Sequence, residues 1–219
     1  IMKDSIQLRQ KIIDTCLSLR GQGYVYGTWG NISVRLDDGT ILITPSKLDY
    51  AEMKPEDLPV IAPDGSVVSG SRLPTSEREI HRGMMNRRPD IGAVIHTHSP
   101  YAMACCAIEG GIPAFSEEIC QLFGGPIRLS DRFVPSDAHA ELGRVVCESF
   151  GNDNALLIRN HGPIVLGRTL DEAFVSCQIL EKTAKIYMNL LRTGKHINVL
   201  DDETIARGRD YFLNGYGKT

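Results

Sequence analysis

Two short turns, Asp37-Asp38-Gly39 and Pro63-Asp64-Gly65, restrict this chain most. Each separates two brief apolar runs, 31–36 from 40–44 and 58–62 from 66–69. Glycine supplies the positive φ of such a turn without steric cost, and the aspartate can accept from backbone two residues on. The chain therefore folds back in hairpins and pairs its strands antiparallel. Helical patterns lie around them. Residues 5–20 carry apolar side chains at Ile6, Ile12, Ile13, Cys16, Leu17 and Leu19, stopped by Gly21 and Gly23. Ser76-Glu77-Arg78-Glu79 fits a capping box opening a helix to about 87, and Thr169-Leu170-Asp171-Glu172 fits another opening a helix to about 192. Further helices are expected over 100–108, 135–150 and 201–214, and strands over 91–97, 155–158 and 164–166. Strict βαβ alternation, the dinucleotide fingerprint and the P-loop are all missing. The expectation is one layered α/β domain over 1–219 with a largely antiparallel sheet.

Composition excludes whole classes. At 219 residues, 42% hydrophobic and 23% charged, the chain is a globular domain that buries a core without staples. Its 24 Lys and Arg against 27 Asp and Glu give a net charge of −3, which argues against a nucleic-acid partner. No apolar run approaches the roughly 20 residues of a membrane span. The start, Met2-Lys3-Asp4-Ser5, has no apolar secretory core, so a cytoplasmic location is expected. Six cysteines show no CxxC pair and read as buried hydrophobes, including Cys105-Cys106 within an apolar helical run.

Three features can carry chemistry. His96-Thr97-His98 ends the strand over 91–97, and residues i and i+2 of a strand point to one face, about 6.6 Å apart by strand rise. Two imidazoles so placed can reach one ion, or they are a chance pair on a polar strand end. His161, at another strand end and followed by Gly162, is the candidate third ligand; three neutral imidazoles suit zinc and leave a position open. Glu77, in Pro74-Thr75-Ser76-Glu77, is either a first-turn acid complementing a helix dipole or a carboxylate beside that metal. Finally, Gly27-Thr28-Trp29-Gly30-Asn31, Thr44-Pro45-Ser46-Lys47 and Thr75-Ser76 sit at loop-to-element junctions. Such segments hold anions or serve as ordinary turns and caps.

Taken in order, GTWGNISVR (27–35), ITPSKLDY (43–50), PTSEREIH (74–81), AVIHTHSPYA (93–102) and NHGPIVLG (160–167) resemble the class II aldolase/adducin family, its L-fuculose-phosphate aldolases in particular, over about residues 5–192. The resemblance implies a three-layer α/β/α domain with a largely antiparallel central sheet, assembled as a homotetramer with sites at subunit interfaces. It implies that His96, His98 and His161 bind Zn2+, with Mn2+ or Co2+ also compatible with imidazole ligands. Glu77 corresponds to the glutamate that binds the metal at rest and then serves as acid and base. Gly30, Asn31, Ser46, Lys47, Thr75 and Ser76 correspond to the segments that hold the substrate phosphate. The implied reaction cleaves a ketose 1-phosphate to dihydroxyacetone phosphate and an aldehyde through a metal-stabilised enediolate, without a lysine Schiff base.

The chain departs from that pattern twice. Lys47 stands where the family has glycine, and Glu118 where a tyrosine acts from the neighbouring subunit. Methylthioribulose-phosphate dehydratases resemble the chain near Glu118 but do not match at Glu77. Tyr211 and Tyr216 in the tail are candidate proton donors in place of the missing tyrosine. Pentulose-phosphate 4-epimerases of the family carry aspartate at the position of Glu77, which favours the aldolase. Epimerisation, decarboxylation of a phosphorylated keto acid and dehydration use the same enediolate, whereas adducin-like relatives keep the fold as an assembly module. His81 is expected to pack, with support of the site as the alternative. His139 and His196 are expected on helix surfaces, Arg87-Arg88 at a solvated helix end, and Trp29 either lining the pocket or packing. The aldehyde half of the substrate is not legible.

Overall fold

The computed structural model describes residues 3–217, so Ile1, Met2, Lys218 and Thr219 of the expected domain lie outside the described residues. Both hairpins form. Strand β1 (Asn31–Arg35) pairs antiparallel with β2 (Ile41–Ile43), and β3 (Val60–Ile61) with β4 (Val67–Ser69). Asp38 accepts from the Thr40 N–H at 2.9 Å and Gly39 takes φ +82°. Asp64 does the same for Ser66, with Gly65 at φ +93°. Strands β5 (Ala93–His96), β6 (Arg128–Leu129), β7 (Ala155–Ile158) and β8 (Gly162–Gly167) complete one sheet in the order β4-β3-β2-β1-β5-β8-β7-β6. All neighbours are antiparallel except β6 and β7.

The inner strands are apolar on both faces, and alternate residues enter separate cores. Ile32, Val34, Ile95 and Val165 meet helices α1 (Ile6–Gly21), α3 (Pro100–Cys106), α4 (Glu117–Phe123), α6 (Leu170–Thr193) and α7 (Asp202–Asn214) on one side. Ile41, Ile43, Val94, Ile164 and Leu166 meet α2 (Arg78–Arg87) and α5 (His139–Phe150) on the other. This is the expected α/β/α sandwich. Among the described residues no helix is long and apolar enough to cross a membrane. All six cysteines are free and buried.

Several local expectations are corrected. The box at Ser76 does not form; α2 begins at Arg78, and Glu77 occupies the cap position without capping with its side chain. At α6 Thr169 accepts from the Glu172 N–H at 3.2 Å, but the Glu172 carboxylate goes to Arg168 rather than back to the cap. Helix α5 starts at His139 because Pro135–Ala138 closes a separate turn, the Ala138 N–H donating to the Pro135 carbonyl. His139 is exposed there, and exposed His196 lies in irregular chain beyond α6. The Arg88 guanidinium is held by Asp90, Asn154 and the Asp153 carbonyl instead of being solvated. Helix α4, strand β6 and a short 3-10 turn at Pro55–Asp57 had no distinct signal.

Candidate metal centre

Antiparallel neighbours bring the end of β5 beside the starts of β1 and β8. In register, Asn31 lies opposite His96 on one side and Ile164 opposite His96 on the other. His161 stands in the tight β7–β8 turn, where Asn160 adopts φ +54°. The three ligand atoms offered by His96, His98 and His161 consequently lie within 4.8 Å of one another. The Nε2 atoms of His96 and His98 are 3.0 Å apart. Gly162 makes this convergence possible. A Cβ there would stand 2.6 Å from the Thr97 carbonyl oxygen and 3.0 Å from His96 Cε1.

The donor chemistry fits a divalent cation. The Pro163 carbonyl lies 2.9 Å from His96 Nδ1, so that nitrogen carries the hydrogen and the Nε2 lone pair is directed toward the other imidazoles. Burial disfavours imidazolium and pushes His98 down to about 3; it also lowers His96. Both are thus neutral ligands at pH 7. The buried His161 Nδ1 has no hydrogen-bond partner, while its Nε2 lies 2.9 Å from Glu77 Oε1.

Glu77 closes the group. Its Oε2 accepts from Asn31 Nδ2 at 2.8 Å and lies 3.4 Å from His96 Nε2. Burial alone would raise its pKa, but the neighbouring His96 and His161 rings and the hydrogen bonds from His161 and Asn31 hold it well below the usual carboxylate range. His81, expected to pack, is instead hydrogen-bonded to Asn31 Oδ1 at 2.5 Å and Ser33 Oγ at 2.7 Å. The signal was available: Asn31 and Ser33 share a strand face, and Glu77 and His81 lie one helical turn apart.

Asn31, Glu77, His98 and His161 floor a cavity of about 1010 Å³. Gly30, Asn31, Ser46, Lys47, Thr75 and Ser76 all line it. The bridge between Pro45 and Pro74 holds two of these segments together. It also consumes donors, because the Ser46 N–H goes to the Leu73 carbonyl and the Thr75 N–H to the Thr44 carbonyl. The Asn31 amide is likewise committed to Glu77 and His81. Hydroxyls and the exposed Lys47 ammonium remain on the cavity wall. Lys47 adopts φ +59°, the left-handed conformation suited to the glycine of the family pattern. Trp29, 68% exposed, lies on the rim with its ring 6.4 Å from that of His98.

Glu118 and Tyr211 do not reach this cavity within one chain. Glu118 is paired with Lys182 at 2.6 Å. Tyr211 lines a separate cavity of about 620 Å³ with Phe115, Ser116 and Arg207, and its ring packs 6.1 Å from Tyr216.

A mostly antiparallel α/β/α sandwich with three imidazoles and a carboxylate converging at one end of its sheet defines a class of protein able to hold a divalent ion beside an anion-receptive cavity. The model of the class II aldolase and adducin N-terminal domain matches residues 10–188, and the chain belongs to that family. It is 36% identical over 190 residues to the 5-methylthioribulose-1-phosphate/5-deoxyribulose-1-phosphate aldolase of Rhodospirillum rubrum, covering 87% of this chain and 84% of the relative. It is 31% identical over 221 residues to an L-ribulose-5-phosphate 4-epimerase of Salmonella paratyphi C, covering 96% of each. Among solved structures, an L-fuculose 1-phosphate aldolase superimposes with a TM-score of 0.89 at 30% identity, covering 95% of this chain and 97% of that one.

Proposed function

We propose that this protein is a zinc-dependent aldolase that cleaves a ketose 1-phosphate, of the L-fuculose 1-phosphate kind, to dihydroxyacetone phosphate and an aldehyde. The placement of Glu77 carries this reading. It is a buried carboxylate with an imidazole nitrogen near each oxygen, on the floor of a cavity lined by hydroxyls and an ammonium. His96, His98 and His161 would hold the ion, with Glu77 as a further ligand when no substrate is bound. A divalent ion held there would supply a Lewis acid for the ketose carbonyl and for the negative charge that C3–C4 cleavage leaves beside it.

The chain's own residues supply the rest. Hydroxyls of Ser46, Thr75 and Ser76, together with the Lys47 ammonium, receive the phosphate, and Gly30 and Asn31 close that side of the cradle. The C4 hydroxyl proton leaves as the C3–C4 electron pair moves toward the carbonyl, forming the aldehyde. Glu77, after taking up a proton from solvent, delivers it to C3, which yields the triose phosphate, and the group that accepted the C4 proton returns it to solvent. Acceptance of the C4 proton is assigned to the Glu118 carboxylate of a neighbouring subunit, with the Tyr211 phenol as the proton donor of the reverse, bond-forming direction, since neither lines the cavity of its own chain. This assignment requires the homotetramer.

A second reading, epimerisation at C4 of a pentulose 5-phosphate, is supported by the similarity to the Salmonella paratyphi C enzyme. Glutamate rather than aspartate at position 77 favours cleavage. A panel of ketose 1-phosphates and pentulose 5-phosphates offered to the zinc-loaded protein separates the two. Triose phosphate release from the first group is expected. Interconversion of pentulose epimers without triose release would overturn the aldolase in favour of the epimerase.

A further inference from the structure

Ser33 and His81 lie beneath the floor of the cavity and line no part of it, yet both are wholly buried and polar. Topology brings them to the working carboxylate. Asn31 and Ser33 project from one face of β1, while Glu77 and His81 sit four residues apart where α2 begins. The strand pair faces the helix pair, giving an unbroken sequence of contacts: Ser33 Oγ to His81 Nδ1 at 2.7 Å, His81 Nε2 to Asn31 Oδ1 at 2.5 Å, and Asn31 Nδ2 to Glu77 Oε2 at 2.8 Å.

Hydrogen-bond valence gives this sequence one direction. A carboxylate can only accept, so Asn31 must turn its NH2 group to Glu77 and its carbonyl oxygen to His81. The carbonyl also only accepts, so the His81 hydrogen must sit on Nε2. A neutral imidazole has one N–H, which leaves Nδ1 bare to accept from the Ser33 hydroxyl. The opposite tautomer would turn the Asn31 carbonyl oxygen toward the carboxylate. Buried groups of this kind have no water to take over a lost bond.

We infer that Ser33 and His81 are positioning residues, a buried relay that sets the His81 tautomer, through it the Asn31 amide, and through that the orientation of Glu77. The inference rests on the reading of Glu77 as the group that moves the proton, and it makes neither residue a participant in chemistry. Ser33 acts only through the His81 ring.

The direct test is nitrogen-15 NMR of the imidazoles in metal-free protein. A His81 ring protonated at Nε2 and bare at Nδ1 is expected; protonation at Nδ1 overturns the relay. This outcome is independent of substrate, so a chain inactive on every ketose phosphate would defeat the aldolase reading and leave the relay decided by its own measurement. Kinetics supply the second arm. His81→Phe should lower kcat about 10- to 100-fold, the range for partners that orient metal-site ligands, with KM changed less than about three-fold. His81→Gln, whose amide can still donate to Asn31, should recover much of that loss. Ser33→Ala should cost about three- to ten-fold by releasing the tautomer, a fraction of the same range. Ser33→Ala combined with His81→Gln should be no slower than His81→Gln alone. Independent, additive losses, or a lowered Tm with kcat intact in the folded variants, would contradict the relay. Should His81→Phe fail to fold, the Ser33→Ala and His81→Gln pair still decides it.

Discussion

A carboxylate buried among imidazoles keeps its charge only while its partners stay in place, and two polar atoms lie within hydrogen-bond distance of the Glu77 oxygens: Asn31 Nδ2 and His161 Nε2. Glu77→Gln preserves volume and most hydrogen bonds but removes the base. Steady-state kinetics on this variant should show kcat lower by about 10²- to 10⁴-fold, the usual worth of a positioned acid–base group. Metal analysis of the same protein should still find zinc on the three histidines; an unaltered kcat would remove Glu77 from the chemistry. Gly162 gives a different prediction, about space. Because an added Cβ meets the Thr97 carbonyl and the His96 ring, Gly162→Ala should lose about 1–3 kcal/mol in urea unfolding, the ordinary cost of overpacking, together with metal affinity. Wild-type stability with full metal content would show that the turn can shift. At this scale the His96–His98 pair and His161 as its candidate third member were legible in the sequence, because strand period two and the glycine after His161 are local facts, whereas Glu77 read equally as a first-turn acid until the family resemblance gave it a role. The commitment of the Asn31 side chain to Glu77 was not, since it depends on a helix 46 residues away.

At the scale of elements, two segments connect packing to the site. Helix α3 follows His98 directly, and the buried carboxylate of Glu181 on α6 accepts from its Tyr101 and Ala102 N–H groups, both at 2.9 Å. Glu181→Ala leaves those donors unpaired and should cost about 1–2 kcal/mol, the worth of a helix cap, in denaturant unfolding. No change would mean that α3 is held by its apolar contacts alone. The second segment is the turn bearing Lys47. Lys47→Gly relieves a left-handed conformation and should raise stability by up to about 1 kcal/mol. The same change removes a cation from the cradle, so KM for a phosphorylated ketose should rise about two- to five-fold, as for loss of an exposed ion pair. An unchanged KM would take the ammonium out of phosphate binding. The hairpins were legible from their Asp-Gly turns, whose conformations are dictated within four residues. The start of α2 was misread because Ser76-Glu77-Arg78-Glu79 satisfies the capping rule, whereas burial of Glu77 against imidazoles decides the outcome. Helix α4 and strand β6 escaped because their apolar runs are too short to establish a period.

For the whole molecule, the sheet order matters more than any single strand. The neighbours of β5 are β1 and β8, some 60 residues away on either side along the chain, and only the family resemblance could anticipate that pairing. Exposed Tyr26, Trp29, Met103 and Phe133 line the cavity, and Leu73 is exposed beside the Pro45–Pro74 bridge, an apolar surface suited to a neighbouring subunit. With Glu118 and Tyr211 outside the cavity of their own chain, shared sites predict complementation. Inactive His96→Ala chains coassembled with inactive Glu118→Gln, Tyr211→Phe double-variant chains should regain activity, while either variant alone stays inactive. Failure of the mixed assemblies to recover would place the whole site within one chain.

The proposed sugar-phosphate cleavage depends on a divalent ion held by imidazoles from two stretches of chain and one buried carboxylate. Triose phosphate release from a panel of ketose 1-phosphates, measured on chelator-stripped protein before and after addition of one equivalent of zinc, tests it most directly. No release is expected from the stripped protein, with recovery on adding zinc that is absent in His161→Ala; undiminished release from the metal-free protein would rule out the metal-dependent cleavage.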